Sequence, residues 1–282
     1  MRFALALLVW LSAYGAERVL VVGGLGGEPD YEQRFQSLAR EAAKLAGGEA
    51  LVGPQAEKNA IRAAIARLSA DLGEDDTFAL VLIGHGTWDG LAYKFNVPGP
   101  DISAEELRAW LDPIRARQVV VLATSASGAA LKALAHPRRA VFAATRSGME
   151  KNAVVFPRYW VEALRDPSAD TDKNEAVSAA EAFRYAAQKT AAFYEAQKRL
   201  ATEHAAMEDP GGVARAAIVR FGAAQAALGD PAKKALLAQR EKLEIEIEKL
   251  KREKAALAPE DYRKRLQALL LALANVQEEI ER

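Results

Sequence analysis

The chain has 282 residues, half of them hydrophobic, which is enough material for one large core and an additional segment. Its 38 lysine and arginine residues balance its 38 aspartate and glutamate residues. No overall charge therefore favours nucleic acid or an acidic membrane surface as a partner. The chain contains no cysteine, which excludes disulfide bonds and any thiol nucleophile.

The first sixteen residues have the pattern of a signal peptide. Arg2 precedes an apolar run over residues 3–13, and the small residues Gly15 and Ala16 follow it. Since this run is too short to span a bilayer, we expect export and removal of the leader rather than a membrane span. Cleavage after Gly15 or Ala16 would leave a secreted or periplasmic chain that begins near Glu17. The alternative is a buried first strand.

From residue 18 onward, segments typical of strands alternate with segments typical of helices. The predicted strands are 18–22, 49–52, 78–83 and 119–123, and the predicted helices include 31–45, 58–72 and 156–164. This order predicts an α/β fold with a mostly parallel sheet covered on both faces. The glycine-rich stretch 23–27 suits a phosphate-binding loop, but the lysine and hydroxyl residues of such a loop are missing, so a simple turn is favoured.

Two of these strands end in small and polar residues. The run 80–83 leads into Gly84, His85 and Gly86, and the run 119–123 leads into the sequence Thr-Ser-Ala-Ser-Gly at 124–128. Buried parallel strands deliver functional groups at their carboxyl ends, so we expect His85 and Ser125 to lie at the same edge of the sheet.

This pair of blocks resembles the caspase-like peptidases, and most closely the legumain branch. Members of that branch have one strand that ends in His-Gly and a later strand that ends in Ala-Cys-x-Ser-Gly; Ser125 stands where the cysteine is expected. The turn at 87–90, the strand at 91–95, the helix start at 101–107 and the segment 141–148 are also similar to the family pattern. The resemblance covers about residues 17–205 and implies a caspase-like three-layer sandwich.

The resemblance also implies roles for individual residues. His85 would be the histidine that protonates the leaving amine, Ser125 would occupy the nucleophile position, and the amides of Gly86 and residue 125 would hold the oxyanion. Candidate substrate-binding residues are Arg34, Ser127 and Arg146. For Arg34, an ordinary position on a solvated helix face is the alternative interpretation.

A serine at this position leaves two functional hypotheses. The family relies on the acidity of a thiol, whose free pKa is about 8.5, whereas a serine hydroxyl needs an adjacent base. The first hypothesis is a catalytically inactive pseudopeptidase that binds a peptide or protein partner in the cleft at His85 and Ser125. The second is a hydrolase that uses Ser125 as nucleophile, with Asp89 or Glu150 orienting His85.

The segment 170–181 resembles the calcium loop of an EF-hand. The loop pattern implies that Ca²⁺ is bound by oxygen atoms of six residues, namely Asp170, Asp172, Asn174, Ala176, Ser178 and Glu181. Glu175 departs from the pattern, which requires glycine at the sharp turn. The alternative is a helix N-terminus at which Ser178 is the cap and Glu181 its capping-box partner.

After a long predicted helix over 179–201, the composition changes from residue 231 to alanine, leucine, glutamate and lysine. Leucines at 236, 243, 250 and 257 are seven residues apart, and Pro259 interrupts the helical pattern. This pattern predicts an antiparallel helical hairpin or coiled-coil arm over 231–282, separate from the domain at 17–228. Such an arm would pack on that domain, self-associate or bind a protein partner.

His136 and His204 lack spaced partners, so neither is predicted as a metal ligand.

Overall fold

The computed structural model describes residues 15–282. The predicted leader therefore lies outside the described residues, apart from its last two positions. Residues 16–224 form one compact unit, and residues 225–282 belong to a second. Each unit is described by itself.

A six-stranded sheet lies at the centre of the first unit. The strands of this unit are β1 (Glu17–Gly23), β2 (Glu49–Val52), β3 (Thr77–Gly84), β4 (Gly86–Trp88), β5 (Tyr93–Phe95), β6 (Ile102–Ser103), β7 (Arg117–Thr124), β8 (Arg139–Ala143), β9 (Ala176–Ser178), β10 (Ala206–Glu208) and β11 (Ala217–Arg220). The order in the central sheet is β10-β8-β7-β3-β1-β2, in which β10 is antiparallel to β8 and the other five strands are parallel. Two small sheets accompany it, β4-β5-β6 and β9-β11.

Helices cover both faces of this sheet. These helices are α1 (Pro29–Leu45), α2 (Lys58–Ser69), α3 (Ala104–Leu111), α4 (Leu131–Leu134), α5 (Phe156–Arg165) and α6 (Ala179–Ala196). Later in the chain come α7 (Gly222–Ala227), which begins in the first unit, and the second unit's α8 (Pro231–Glu253) and α9 (Pro259–Glu281). One core lies between the sheet and α1, α5 and α6; the other lies between the sheet and α2, α3 and α4. The predicted α/β class, with helices on both sides of a mostly parallel sheet, is confirmed.

The two central strands explain this layout. All eight residues of β3 are buried, and so are seven of the eight in β7, because alternate side chains enter the two cores. Val119 and Val121 belong to one core, whereas Val120 and Leu122 belong to the other. Continuous apolar runs of this kind are typical of interior strands in a parallel sheet.

The helix predicted over 179–201 ends earlier than expected, at Ala196. Lys198 just beyond it has a left-handed backbone with φ of 53°, and the Arg199 N–H donates to the Tyr194 carbonyl. This arrangement is typical of a helix C-terminus, where a left-handed residue redirects the chain.

The second unit contains the predicted antiparallel hairpin of α8 and α9. The Lys233 ammonium donates to the Ile280 carbonyl at 3.0 Å, and the Arg240 guanidinium donates to Gln277 at 3.1 Å. Arg240, which lies between Leu236 and Leu243 of the leucine repeat, is buried. Among the described residues, no helix is both long enough and apolar enough to cross a membrane.

Candidate functional site

The ends of β3 and β7 form the candidate site. These strands are adjacent and parallel, and Gly84 pairs in register with Thr124. His85 and Ser125 therefore follow directly on two paired residues and leave the sheet at the same edge, although 40 positions of sequence separate them. The structure brings His85, Gly86 and Ser125 into one neighbourhood.

The Ser125 hydroxyl is held by the backbone of Gly86. Its Oγ accepts a hydrogen bond from the Gly86 N–H at 3.2 Å and donates one to the Gly86 carbonyl at 3.1 Å. Ser125 is only 2% exposed. The hydroxyl is therefore buried and engaged both as donor and as acceptor, and it occupies the Gly86 amide expected to bind an oxyanion.

His85 lies in an aromatic setting formed by α1. Its ring meets Tyr31 and Phe35 edge to face, with centroid distances of 4.9 and 5.0 Å. Burial, followed by the positive charge of Arg34, lowers the pKa of His85 below its ordinary value, against an opposing hydrogen bond with the Gly26 backbone. Among residues 15–282, no hydrogen bond joins His85 to Ser125. The lowered pKa favours the neutral imidazole, and no hydrogen bond couples this ring to the serine among the described residues.

Arg34 is exposed and lies next to His85. Its guanidinium stacks over the Tyr31 ring at 4.5 Å and is 5.8 Å from the Phe35 ring centroid. The structure therefore places this candidate binding residue at the histidine, rather than on a remote part of the helix surface.

The loop after Ser125 is tightly constrained. Ala126 adopts a left-handed backbone with φ of 55°, and its N–H donates to the Glu150 carbonyl at 2.8 Å. Ser127 is fully buried, and its hydroxyl bonds with the Thr145 hydroxyl at 3.2 Å. Left-handed non-glycine residues are costly and concentrate at functional sites. The Ser127 hydroxyl shapes this loop and does not face solvent.

Glu150 joins Arg146 to His204. Its carboxylate bonds with the His204 ring Nδ1 at 2.6 Å and accepts from the Arg146 Nε at 3.1 Å. It also accepts the backbone N–H groups of both residues. The hypothesis that Glu150 orients His85 is therefore wrong, because the carboxylate holds His204 instead. Arg146 itself is exposed at the surface.

Asp89 does not orient His85 either. Its carboxylate accepts the N–H groups of Leu91 and Ala92, both at 2.9 Å, and its other oxygen lies 3.9 Å from the Lys94 ammonium. The side chain stabilises its own turn between β4 and β5. Neither of the two carboxylates considered from the sequence therefore orients His85. Glu28 is the carboxylate that acts on the charge of this imidazole, and it favours the protonated form.

Exposed apolar side chains lie on two loops beside the site. The Trp88 ring packs on Gly148, where an added Cβ would lie 2.4 Å from it. Leu91, on the turn after Trp88, is 97% exposed, and Met149, next to Gly148, is 71% exposed. The contact of Trp88 with Gly148 joins the two loops, and we call the half-buried Trp88 together with the exposed Leu91 and Met149 the apolar rim.

Three carboxylates converge in the predicted calcium loop. Oxygen atoms of Asp170, Asp172 and Glu181 all lie within 4.8 Å of one another. Glu175, at the position that normally requires glycine, has the left-handed φ of 60° that the turn needs. Asn174 and Ser178 lie in the same loop, and Ala176 begins β9. Calcium binding here stays a prediction.

The same loop also contains the alternative feature, a capping box. The Ser178 hydroxyl accepts the Glu181 N–H, and Glu181 in turn accepts from the Ser178 N–H and hydroxyl. Burial, then the charges of Glu181 and Asp170, raise the pKa of Asp172. Burial disfavours ionisation of Glu181, but hydrogen bonds from Ser178 and Thr171 outweigh it and lower the pKa of that carboxyl. Glu181 thus provides a helix cap and a negative charge at the same point.

Sequence reasoning missed two parts of the site. Tyr31 and Phe35 are four residues apart and hence share one face of α1, but no pattern linked that face to His85. The pair of Glu150 and His204 joins segments 54 residues apart, and no sequence spacing indicates it.

No protein-family model matches this chain, and no curated protein matches it. Among solved structures, it is similar to protein GSU0716 of Geobacter sulfurreducens with a TM-score of 0.49 and 11% identity, over 74% of this chain and 99% of that one. It is also similar to the Drosophila initiator caspase Dronc with a TM-score of 0.43 and 11% identity, over 71% of this chain and 82% of that one.

Proposed function

We propose that this protein is an exported, caspase-like pseudopeptidase that binds a peptide or a protein segment without cleaving it. The observation that carries this proposal is the state of Ser125. Its hydroxyl is buried and is hydrogen-bonded twice to the Gly86 backbone. The nucleophile position and the expected oxyanion donor therefore satisfy each other instead of a substrate.

The chemistry of the neighbouring groups supports the absence of cleavage. An activated serine requires a base within hydrogen-bond reach, which in turn is oriented by a third group. His85 makes no hydrogen bond to Ser125 among the described residues, and Asp89 and Glu150 hold other groups. The second hypothesis, a hydrolase that uses Ser125, therefore requires a rearrangement of all these partners.

The order of elements after His85 supports the relationship to caspase-like peptidases. The strands β4, β5 and β6 follow the histidine, and Ser103 then caps α3 through a capping box with Glu106. This is the turn, strand and helix start that the sequence resemblance implies. We assign the chain to the legumain branch on the two sequence blocks alone, as part of this proposal.

The surroundings of the cleft support peptide binding. The apolar rim of Trp88, Leu91 and Met149 offers hydrophobic contacts from two adjacent loops, and contiguous apolar surface commonly marks interaction sites. Arg34 adds an exposed positive charge beside His85. A peptide with an apolar and an acidic side chain fits these groups.

Binding to an array of immobilised peptides tests this proposal. We expect the purified protein to select peptides with apolar and acidic residues, and Leu91→Asp to weaken that selection about tenfold, because it places a charge on the rim. Ala66→Asp, which adds the same charge to an exposed position of α2, is the matched control. Equal binding by both variants, or selection of no peptide by the native protein, would contradict the proposal.

Two further parts of the proposal rest on sequence expectations. Ca²⁺ at the loop 170–181 would stabilise the domain, and the hairpin of α8 and α9 would provide a second interaction surface, for self-association or for a protein partner. The convergence of three carboxylates supports the first expectation. The exposed Leu270 and Leu271 on α9 support the second.

A further inference from the structure

The backbone of Ala16, the first residue of the larger unit, is held on both sides. Its N–H donates to the Asp76 carboxylate, and its carbonyl accepts the Thr77 N–H at 2.9 Å. Thr77 pairs in register with Glu17 of β1, so Ala16 extends the contact between β1 and β3 by one residue. The fold therefore uses Ala16 as well as the residues that follow it.

The position after Ala16 is also fixed. The buried Arg220 guanidinium binds the Glu17 carboxylate in a bidentate pair at 2.6 and 2.7 Å. Loss of residue 16 would keep this pair, but it would leave one oxygen of Asp76 without its donor and the buried Thr77 N–H without its acceptor. Unsatisfied buried groups of this kind are costly.

The acidic turn before β3 suits a positive charge at Ala16. One oxygen of Asp76 faces the Ala16 nitrogen, and the other accepts the Gly73 N–H at 2.6 Å. The nearby Arg117 guanidinium donates to the Asp75 carbonyl at 2.8 Å, and its backbone N–H donates to the Asp76 carbonyl. Within residues 15–282, the Asp76 carboxylate accepts from two backbone N–H groups and forms no ion pair with a side chain.

The leader sequence also favours cleavage of the bond between Gly15 and Ala16. Signal peptidases require small residues at the last and third-last positions of the leader. Cleavage after Gly15 places Gly15 and Ala13 at these positions, whereas cleavage after Ala16 places Tyr14 at the third-last position.

We propose that a signal peptidase cleaves the Gly15–Ala16 bond and that the new α-ammonium of Ala16 forms an ion pair with Asp76, which fixes β1 in the sheet. In this step water adds to the Gly15 carbonyl and the C–N bond breaks. Gly15 leaves as a carboxylate, and the Ala16 nitrogen takes up a proton. An α-amino group has a pKa of about 8, so this nitrogen is mostly charged at neutral pH. Processing thereby replaces the hydrogen bond between an amide N–H and the Asp76 carboxylate with an ammonium–carboxylate ion pair, which adds the attraction of a positive charge.

The first test is the mass of the exported protein. The full chain is expressed with its leader in a bacterial host, and the intact mass of the processed protein is measured. We expect residues 16–282. A mature chain that begins at Glu17 or later would overturn the proposal. A protein that remains unprocessed inside the cell would overturn export and this inference together, but would leave peptide binding in the cleft unaffected.

The second test isolates the charge. The chain 16–282 is prepared with a free and with an acetylated Ala16; the acetylated form keeps the N–H donor but lacks the charge. We expect the free form to melt about 2–4 °C higher, and this difference to vanish in Asp76→Asn but to persist in the control Asp75→Asn. Equal melting temperatures of the two forms in the native sequence would overturn the ion pair.

Discussion

Ser125 and Gly86 exchange two hydrogen bonds at the carboxyl edge of the sheet, one through the Gly86 N–H and one through its carbonyl. The exchange links the two strand ends that carry the family resemblance. The hydroxyl and the backbone of Gly86 satisfy each other in a buried place, so the pair forms a structural bridge between the two strand ends.

Removal of this hydroxyl is expected to cost stability without altering the fold. In Ser125→Ala the buried Gly86 N–H and carbonyl both lose a partner, so the free energy of unfolding should fall by about 1–3 kcal/mol. Denaturant unfolding measures the change, and Ser37→Ala on the exposed surface of α1 is the control. A change of less than about 0.3 kcal/mol would mean that the hydrogen bonds between Ser125 and Gly86 do not stabilise the fold.

Because Arg34 lies beside His85, we expect the folding stability to depend on pH through the protonation of this histidine. Because burial and Arg34 lower the pKa of His85, the unfolded chain binds this proton more readily than the folded chain. The stability that His85 contributes is therefore complete above its ordinary pKa and is lost as the pH falls toward the lowered folded value. NMR titration of the imidazole should give a midpoint below the ordinary value.

Arg34→Ala tests the cause of this shift. The midpoint of His85 should rise in this variant, because a repelling charge is removed, and it should not move in Arg40→Ala, which changes an exposed arginine elsewhere on α1. An unchanged midpoint in both variants would show that the guanidinium does not act on His85 in solution.

The acidic loop predicts weak calcium binding. Because Glu181 is already hydrogen-bonded and Glu175 replaces glycine, we expect a dissociation constant on the order of 0.1–1 mM. Millimolar Ca²⁺ should raise the melting temperature of the native protein and of Glu105→Gln, but not of Asp172→Asn. The effect should weaken on acidification, because the raised pKa of Asp172 favours its neutral form. If Ca²⁺ causes neither heat in a calorimetric titration nor a shift of the melting temperature of the native protein, the loop does not bind calcium and serves only as a helix cap.

The loop that follows Ser125 packs tightly around Gly128. An added Cβ at this position would lie 2.2 Å from the backbone of Arg146 and Ser147. We expect Gly128→Ala to destabilise the domain by roughly 2 kcal/mol or more, since backbone atoms on both sides would have to move. In Gly73→Ala, the nearest atom to the added Cβ is 3.6 Å away, so this control should be tolerated. Equal stability of the two variants would contradict the packing of this loop.

The sequence predicted the sheet because buried strands and amphipathic helices have different periods. The runs at 78–83 and 119–123 contain almost only apolar residues, and the polar residues that follow them mark the edge at which His85 and Ser125 meet. The antiparallel strand β10 was not predicted, since its three residues are too few for a period to appear. The partner of Glu150 could not be predicted either. A hydrogen bond across 54 residues depends on how two loops pack, which no local pattern encodes.

The most direct test of the account is a cleavage assay of the native protein with a diverse peptide library, with and without Ca²⁺, followed by mass spectrometry of the products. Because Ser125 is buried against Gly86 and its hydroxyl bonds to no basic side chain in residues 15–282, we expect every peptide to remain intact, including those that the protein binds. Cleavage by the native protein that is lost in Ser125→Ala would contradict the account and establish the hydrolase instead.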